Sequence, residues 1–135
     1  MDNEKRFTNW EYPEIIDGKP TKYNWVIQNK AGLNLGKHTD IGAFSYINAK
    51  YGVVIEEDVQ IGSHCSIYSI STIDNTQGRV HLKQNCKIGS HTTILPNVTI
   101  GKNTIIGANS LVLHDIPDNV IAFGTPVKIV RNINE

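Results

Sequence analysis

Between Leu35 and Ser110 eleven aliphatic residues keep a six-residue beat, ten of them followed four positions later by a small residue and six carrying Gly directly after them. The aliphatic positions are Leu35, Ile41, Ile47, Ile55, Ile61, Ile67, Leu82, Ile88, Ile94, Ile100 and Ile106, with Val112 opening a twelfth. The residues four on are Thr39, Ser45, Tyr51, Val59, Cys65, Ser71, Cys86, Thr92, Val98, Thr104 and Ser110, of which only Tyr51 is too large. Amphipathic helices repeat every 3.6 residues and strands every two, so a beat of six matches neither. It is the beat of a parallel β-helix. Each hexapeptide is then one short strand and a corner, three make a coil, and like positions stack. Aliphatic and small side chains point into the prism, and Gly relaxes the corner.

The beat breaks twice. Two extra residues lie between Ile47 and Ile55, in NAKYGVV, and read as a bulge at one corner. The interval from Ile67 to Leu82, through YSISTIDNTQGRVH, reads as two repeats with three residues too many, so a loop is expected to project over 68–81. A tolerated surface insertion is the ordinary meaning of such a loop. A smooth prism, however, has no cleft of its own, and function is expected beside the loop. On this count His38, His64 and His91, each three residues after an aliphatic position, turn outward at corners of three different faces, where no single subunit gathers them.

The repeat divides the chain into an N-terminal cap over 1–26, the prism over 27–114 and a closing segment over 115–135, in which Val120 to Ala122 forms a short strand. Roughly four coils plus ends give a prism about 20 Å tall. At 135 residues the chain has room for one core. A formal net charge of +0 and a pI near 7.0 supply no broad basic field for nucleic acid. Apolar runs are short, and MDNEKRFTNWEYPE is polar and charged, so neither membrane insertion nor a signal peptide is expected and the cytoplasm is the expected compartment. Cys65 and Cys86 occupy inward positions, as core filler rather than metal ligands or a disulfide, and no metal is expected.

The stretch CKIGSHTTILPNVTIGKNTIIGANSLVLHDIPDNVIAFGTPVKIVR, residues 86 to 131, resembles the closing coils and tail of the hexapeptide-repeat acyltransferases, nearest the galactoside- and maltose-type sugar acetyltransferases. The resemblance implies an all-β, single-stranded left-handed parallel β-helix, a homotrimer with active sites between neighbouring subunits, and acetyl-CoA as co-substrate. It also implies a sugar or nucleotide-linked sugar as acceptor, with surface polysaccharide synthesis as the expected setting. Ile88 and Ile106 are eighteen residues apart, so Ser90 and Ala108 stack at one position. A strip of small side chains with accessible backbone suits the pantetheine arm of CoA, and the family binds that arm there. His91 adjoins the strip. Lys128, in GTPVK, matches a basic residue of the family near the nucleotide phosphates. The family's Thr-Lys pair after the last coil is Leu113 and His114 here, which assigns His114 to the same ligand.

On the acceptor side, Asn48 in SYINAKYG resembles the Asn with which sugar acetyltransferases hold their acceptor, an amide able both to donate and to accept. The family's catalytic His sits on the projecting loop, where this chain has Thr72, flanked by Ser71 and Asp74. Thr72 and Asp74 are therefore expected at the acceptor, but the projecting part of the loop before its return at His81 holds no His. Attack by a sugar hydroxyl on a thioester needs a base near neutral pH, whereas a free amine does not. The absence tilts the acceptor towards an amino sugar, with N-acetylation by positioning and an oxyanion-stabilising amide. If a base is used, the candidates are His64, in the coil feeding the loop, and His81, at its return. Each residue also has a plainer role, as a corner or solvated side chain.

Other readings of the prism are weaker. The γ-type carbonic anhydrases share it and bind zinc through His residues, two of them five apart, a spacing that no pair among His38, His64, His81, His91 and His114 has. A non-catalytic assembly subunit has no need of a coenzyme strip.

Overall fold

The computed structural model describes residues 9–134, so residues 1–8 of the expected cap lie outside the described residues. The inward beat of the sequence becomes three parallel ladders. The first face carries β1 (Val26–Gln28), β4 (Tyr46–Asn48), β7 (Ser66–Tyr68), β12 (Thr93–Ile94) and β15 (Leu111–Val112). The second carries β2 (Leu33–Leu35), β5 (Val53–Ile55), β10 (Val80–Leu82) and β13 (Thr99–Ile100). The third carries β3 (Asp40–Ile41), β6 (Gln60–Ile61), β11 (Lys87–Ile88), β14 (Ile105–Ile106) and β16 (Val120–Phe123), with β17 (Lys128–Asn132) added antiparallel at the top. This is an all-β parallel solenoid of about five turns. Among the described residues the only helical element is one 3₁₀ turn, Lys30–Gly32.

Stacking is in register throughout. Ile47 pairs with Ile67, Ile67 with Ile94 and Ile94 with Val112 on the first face; Ile41, Ile61, Ile88 and Ile106 do the same on the third. All eleven aliphatic positions are buried. The small polar positions within the prism are buried too, and their hydroxyls find carbonyls: Ser45 donates to Gly62 O (2.9 Å), Thr92 to Gly107 O (3.2 Å) and Thr104 to Pro117 O (2.6 Å). No buried side-chain N or O atom among the described residues lacks a partner. The residues that turn the corners adopt left-handed backbone at His38, Phe44, Asp58, His64, Asn85, His91, Asn97, Asn103, Asn109 and Asn119. Asn, Asp and His tolerate that conformation better than other side chains, which explains the preponderance of Asn at these positions.

The second break differs from the expected one. Ile67 lies on the first face and Leu82 on the next, paired with Ile55, so the interval is a single repeat of six carrying nine extra residues (15 − 6 = 9). The excess forms an antiparallel hairpin, β8 (Ile70–Ser71) with β9 (Thr76–Gln77). Two consequences follow for the inward residues. Ser71 is on the hairpin, and Val80 fills the slot assigned to it; Val53 likewise takes the slot of the exposed Tyr51. Moreover His64 and His91 belong to the same edge of the prism, between third and first faces, and not to different ones.

The insertions share an edge as well. The connection from β1 to β2, the bulge from β4 to β5 and the hairpin from β7 to β10 all lie between first and second faces, on successive coils. Ser69 N–H and Oγ both donate to Asn48 O (2.9 and 2.8 Å), and Tyr51 N–H donates to Ser69 Oγ (3.0 Å), which ties the hairpin base to the bulge beneath. The approach is close enough to demand Gly32, where a Cβ would lie 1.8 Å from Ala49 O.

Ile94 is fully buried at mid-height, with a coil above and below. Ile94→Ala is expected to cost about 2–5 kcal/mol, from lost transfer energy and the cavity left behind. Urea unfolding checks this, and a loss below about 1 kcal/mol would contradict the stacked core.

Candidate functional site

The prism interior is filled, so chemistry is confined to its outer faces and edges. On the edge between third and first faces, Phe44, His64 and His91 form a column of exposed rings: Phe44 and His64 centroids are 5.2 Å apart, and His64 and His91 are stacked at 4.7 Å with 4° between planes. The next coil continues the column with Asn109, and Thr125 Oγ1 donates to Asn109 O (3.0 Å), bringing the GTPVK turn over it. Beside this column Ser90 and Ala108 occupy equivalent positions on successive coils, with Ile88 paired to Ile106 just before them. Ser90 O accepts from Asn109 N–H (2.8 Å), but the N–H groups of Ser90 and Ala108 have no partner among the described residues. A groove of about 370 Å³ runs along the third face from this edge, lined by Gln60, Gly62, Lys87, Gly89, Ile105 and Ala108. Amide donors without a protein partner beside a narrow groove can receive the carbonyls of an extended chain of amides. Lys128 is exposed at the start of β17 beyond the same turn, opposite Phe123.

His114 lies apart from that strip. It follows β15 on the first face and is exposed on the edge between first and second faces, the one that carries the hairpin. Asn48 stands at the other end of that edge's machinery. Its Oδ1 accepts from Asn29 Nδ2 (2.9 Å) and Lys50 N–H (3.1 Å), and its Nδ2 faces Tyr46 Oη at 3.4 Å. The amide orientation is thereby fixed with the NH₂ towards Tyr46, whose ring lies 5.9 Å from that of Tyr68. Thr72 and Asp74 are exposed at the hairpin tip. Asp74 Oδ1 accepts from the Thr76 hydroxyl (2.8 Å) and Thr76 N–H (3.2 Å), and these bonds hold its carboxyl below the usual carboxylate range.

The histidines fall into three settings. His38 turns the corner between second and third faces, 3.9 Å from Asp58 Oδ1 and edge-on to Trp10. His64 and His91 are the stacked pair. His81, on β10 at the hairpin's return, is hydrogen-bonded through Nε2 to Glu56 Oε2, while Glu56 Oε1 accepts from Gln84 N–H (3.1 Å). Glu56 is absent from the residues that the repeat pattern singles out. The signal that finds it is positional: it follows Ile55 as His81 precedes Leu82, and the pair is visible once those two positions share a face.

Among the described residues no group of three or more His, Cys, Asp and Glu is arranged to hold a metal ion. A further cavity of about 280 Å³, between Trp10, Tyr23, Trp25 and Asp40 at the N-terminal end, is lined by none of the candidate site residues.

Residues 79–114 match the family model described as bacterial transferase hexapeptide, six repeats. The chain is 36% identical over 115 residues to a galactoside O-acetyltransferase of Lactococcus lactis. The chain belongs to the hexapeptide-repeat acetyltransferase family. The match covers 74% of this chain but 56% of that relative, so the chain spans little more than half the length of this family member. Among solved structures of the family, a galactoside acetyltransferase in complex with coenzyme A superposes with a TM-score of 0.74 at 28% identity, over 82% of this chain and 60% of that one. AntD, an N-acyltransferase from Bacillus cereus, in complex with dTDP-4-amino-4,6-dideoxyglucose and coenzyme A, superposes with a TM-score of 0.58 at 27% identity, over 81% and 70%. No helix among the described residues is long and apolar enough to cross a membrane.

The two cysteines take no part in these sites. Burial pushes the Cys86 thiol up to about 12 and raises Cys65 as well. Because the thiolate is the reactive form, both are expected to resist a thiol reagent such as dithiobis-nitrobenzoate at pH 8 in the folded protein and to react fully in urea. Rapid modification of either in the native state would contradict their placement.

Proposed function

We propose that the chain is an acetyl-CoA-dependent acetyltransferase acting on a sugar or nucleotide-linked sugar, with an amino group favoured over a hydroxyl as acceptor. The observation that carries this is the pair of N–H groups at Ser90 and Ala108, which take no partner among the described residues and stand beside the third-face groove. They are suited to the pantetheine amides, with His91 at the side of the strip and Lys128 near the phosphates. CoA complexes of two similar chains support this use. The acceptor is held on the hairpin edge by the pre-oriented amide of Asn48, with Thr72 and Asp74 above it and His114 at the top of the same edge. The exposed carboxylate of Asp74, oriented by Thr76, suits an amino group.

The coenzyme strip and the acceptor residues lie on different edges, so a complete site joins the hairpin edge of one subunit to the coenzyme edge of another. A homotrimer satisfies this. Within it the acceptor attacks the thioester carbonyl, and CoA leaves as the thiol. An amine acceptor fits the absence of His from the hairpin and the AntD likeness. O-acetylation with His64 or His81 as base is the second reading, favoured by the galactoside O-acetyltransferase relative. The polysaccharide role and the cytoplasmic setting belong to the same proposal.

Thiol release from acetyl-CoA, measured across nucleotide-linked amino sugars and hydroxy sugars, is expected to be fastest with an amino sugar. Asn48→Ala is expected to lower kcat/KM about tenfold or more, the loss of at least one hydrogen bond to the acceptor. Ala108→Leu is expected to raise KM for acetyl-CoA by a similar factor, by filling the strip. Release with hydroxy sugars alone would overturn the amine preference, and no release with any acceptor would overturn the proposal.

A further inference from the structure

We infer that Glu56 is the positioning residue for His81, and that the two form the proton-accepting unit of the transfer reaction; this rests on the acetyltransferase reading above. The residues project from adjacent coils of the second face: His81 lies opposite Val54, and Leu82 opposite Ile55, which places Glu56 beside the imidazole. Both carboxylate oxygens of Glu56 are engaged. Oε1 accepts from Gln84 N–H (3.1 Å), which anchors the carboxylate to the backbone, and Oε2 meets His81 Nε2. An ionised carboxylate only accepts hydrogen bonds, so the neutral imidazole carries its proton on Nε2 and leaves the Nδ1 lone pair available.

The side chains of His81 and Glu56 are 23% and 33% exposed, sheltered enough to hold one geometry and open enough to meet a substrate. His81 lies at the foot of the hairpin, and a groove of about 290 Å³ on the same face is lined by Asn34, Val54, Glu56, Glu57 and Gln84. No other histidine among the described residues has a carboxylate within hydrogen-bonding distance; His38 and Asp58 stand 3.9 Å apart. The stacked His64 and His91 have each other and Phe44 as ring neighbours.

In the transfer step, Nδ1 of His81 takes the proton of the acceptor as its oxygen or nitrogen forms the new bond to the thioester carbonyl carbon. The carbon–sulfur bond then breaks, and the departing thiolate receives that proton from Nδ1. Nε2–H stays bonded to Glu56 throughout, so the carboxylate stabilises the transient imidazolium without accepting its proton. The unit serves a hydroxyl acceptor and equally an amino sugar; one that arrives as its ammonium ion first loses one proton to solvent, and the neutral amine then gives its second proton to Nδ1 in the same step.

The test combines nitrogen-15 NMR of the histidines with acetyl-CoA thiol release, using dTDP-4-amino-4,6-dideoxyglucose and a galactoside as acceptors. In the unaltered chain His81 is expected as the Nε2–H tautomer, and Glu56→Gln is expected to abolish that preference. Glu56→Gln should lower kcat about a hundredfold while leaving KM for acetyl-CoA within about twofold, and Glu56→Asp should recover part of the rate. Adding Glu56→Gln to His81→Ala should cause no further loss, because a positioning residue has no effect without its partner. Full activity in Glu56→Gln, or an equal loss in the presence and absence of His81, overturns the inference. Failure of the acetyltransferase reading shows differently, as no thiol release by the unaltered chain with either acceptor.

Discussion

In-register stacking of hexapeptides is the constraint from which the rest of this structure follows. Each coil satisfies its backbone with the coil below and buries the same aliphatic and small side chains over those of its neighbours. The core is therefore a column without room for a ligand: Ile47, Ile67, Ile94 and Val112 leave nothing between them. Whatever does not conform to the six-residue beat is expelled to an edge, where the left-handed corner residues make the turn. Function must then be built from corners, faces and insertions.

The three edges have diverged accordingly. One is laced by Asn85, Asn103 and Asn119, linked side chain to side chain at 2.8 and 2.9 Å up the corner. One retains small residues and unpartnered amides at Ser90 and Ala108, together with the ring column ending at His91. The third collects every insertion, and its hairpin is held by Ser69 to the carbonyl of Asn48. The functional proposal puts the coenzyme on one edge and the acceptor on another, and it therefore includes assembly of several copies, since a single prism keeps its edges apart.

The beat itself was legible in the sequence because burial dictates residue type at every inward position. The cores of the prediction, from Leu35 to Val112, are buried as expected. What was not legible was the face count across the second break. Fifteen residues from Ile67 to Leu82 fit two repeats with three left over as well as one repeat with nine, and periodicity cannot distinguish them. The difference rotates every later coil by one face. It separates His64 from His91 and hides the adjacency of Glu56 and His81, both of which depend on long-range stacking. The local signal that resolves it is the Asp-Asn turn in STIDNTQ, flanked by residues able to pair as a hairpin, which uses up the additional six residues outside the prism. Corner histidines, similarly, owe their spacing to backbone conformation before any chemistry.

Acetyl-CoA binding at the Ser90–Ala108 edge is tested most directly by calorimetric titration of acetyl-CoA into the purified chain. Saturable binding with one equivalent per chain, weakened when the strip is filled at Ala108, is the predicted result. An absence of binding, or binding indifferent to that substitution, would contradict it.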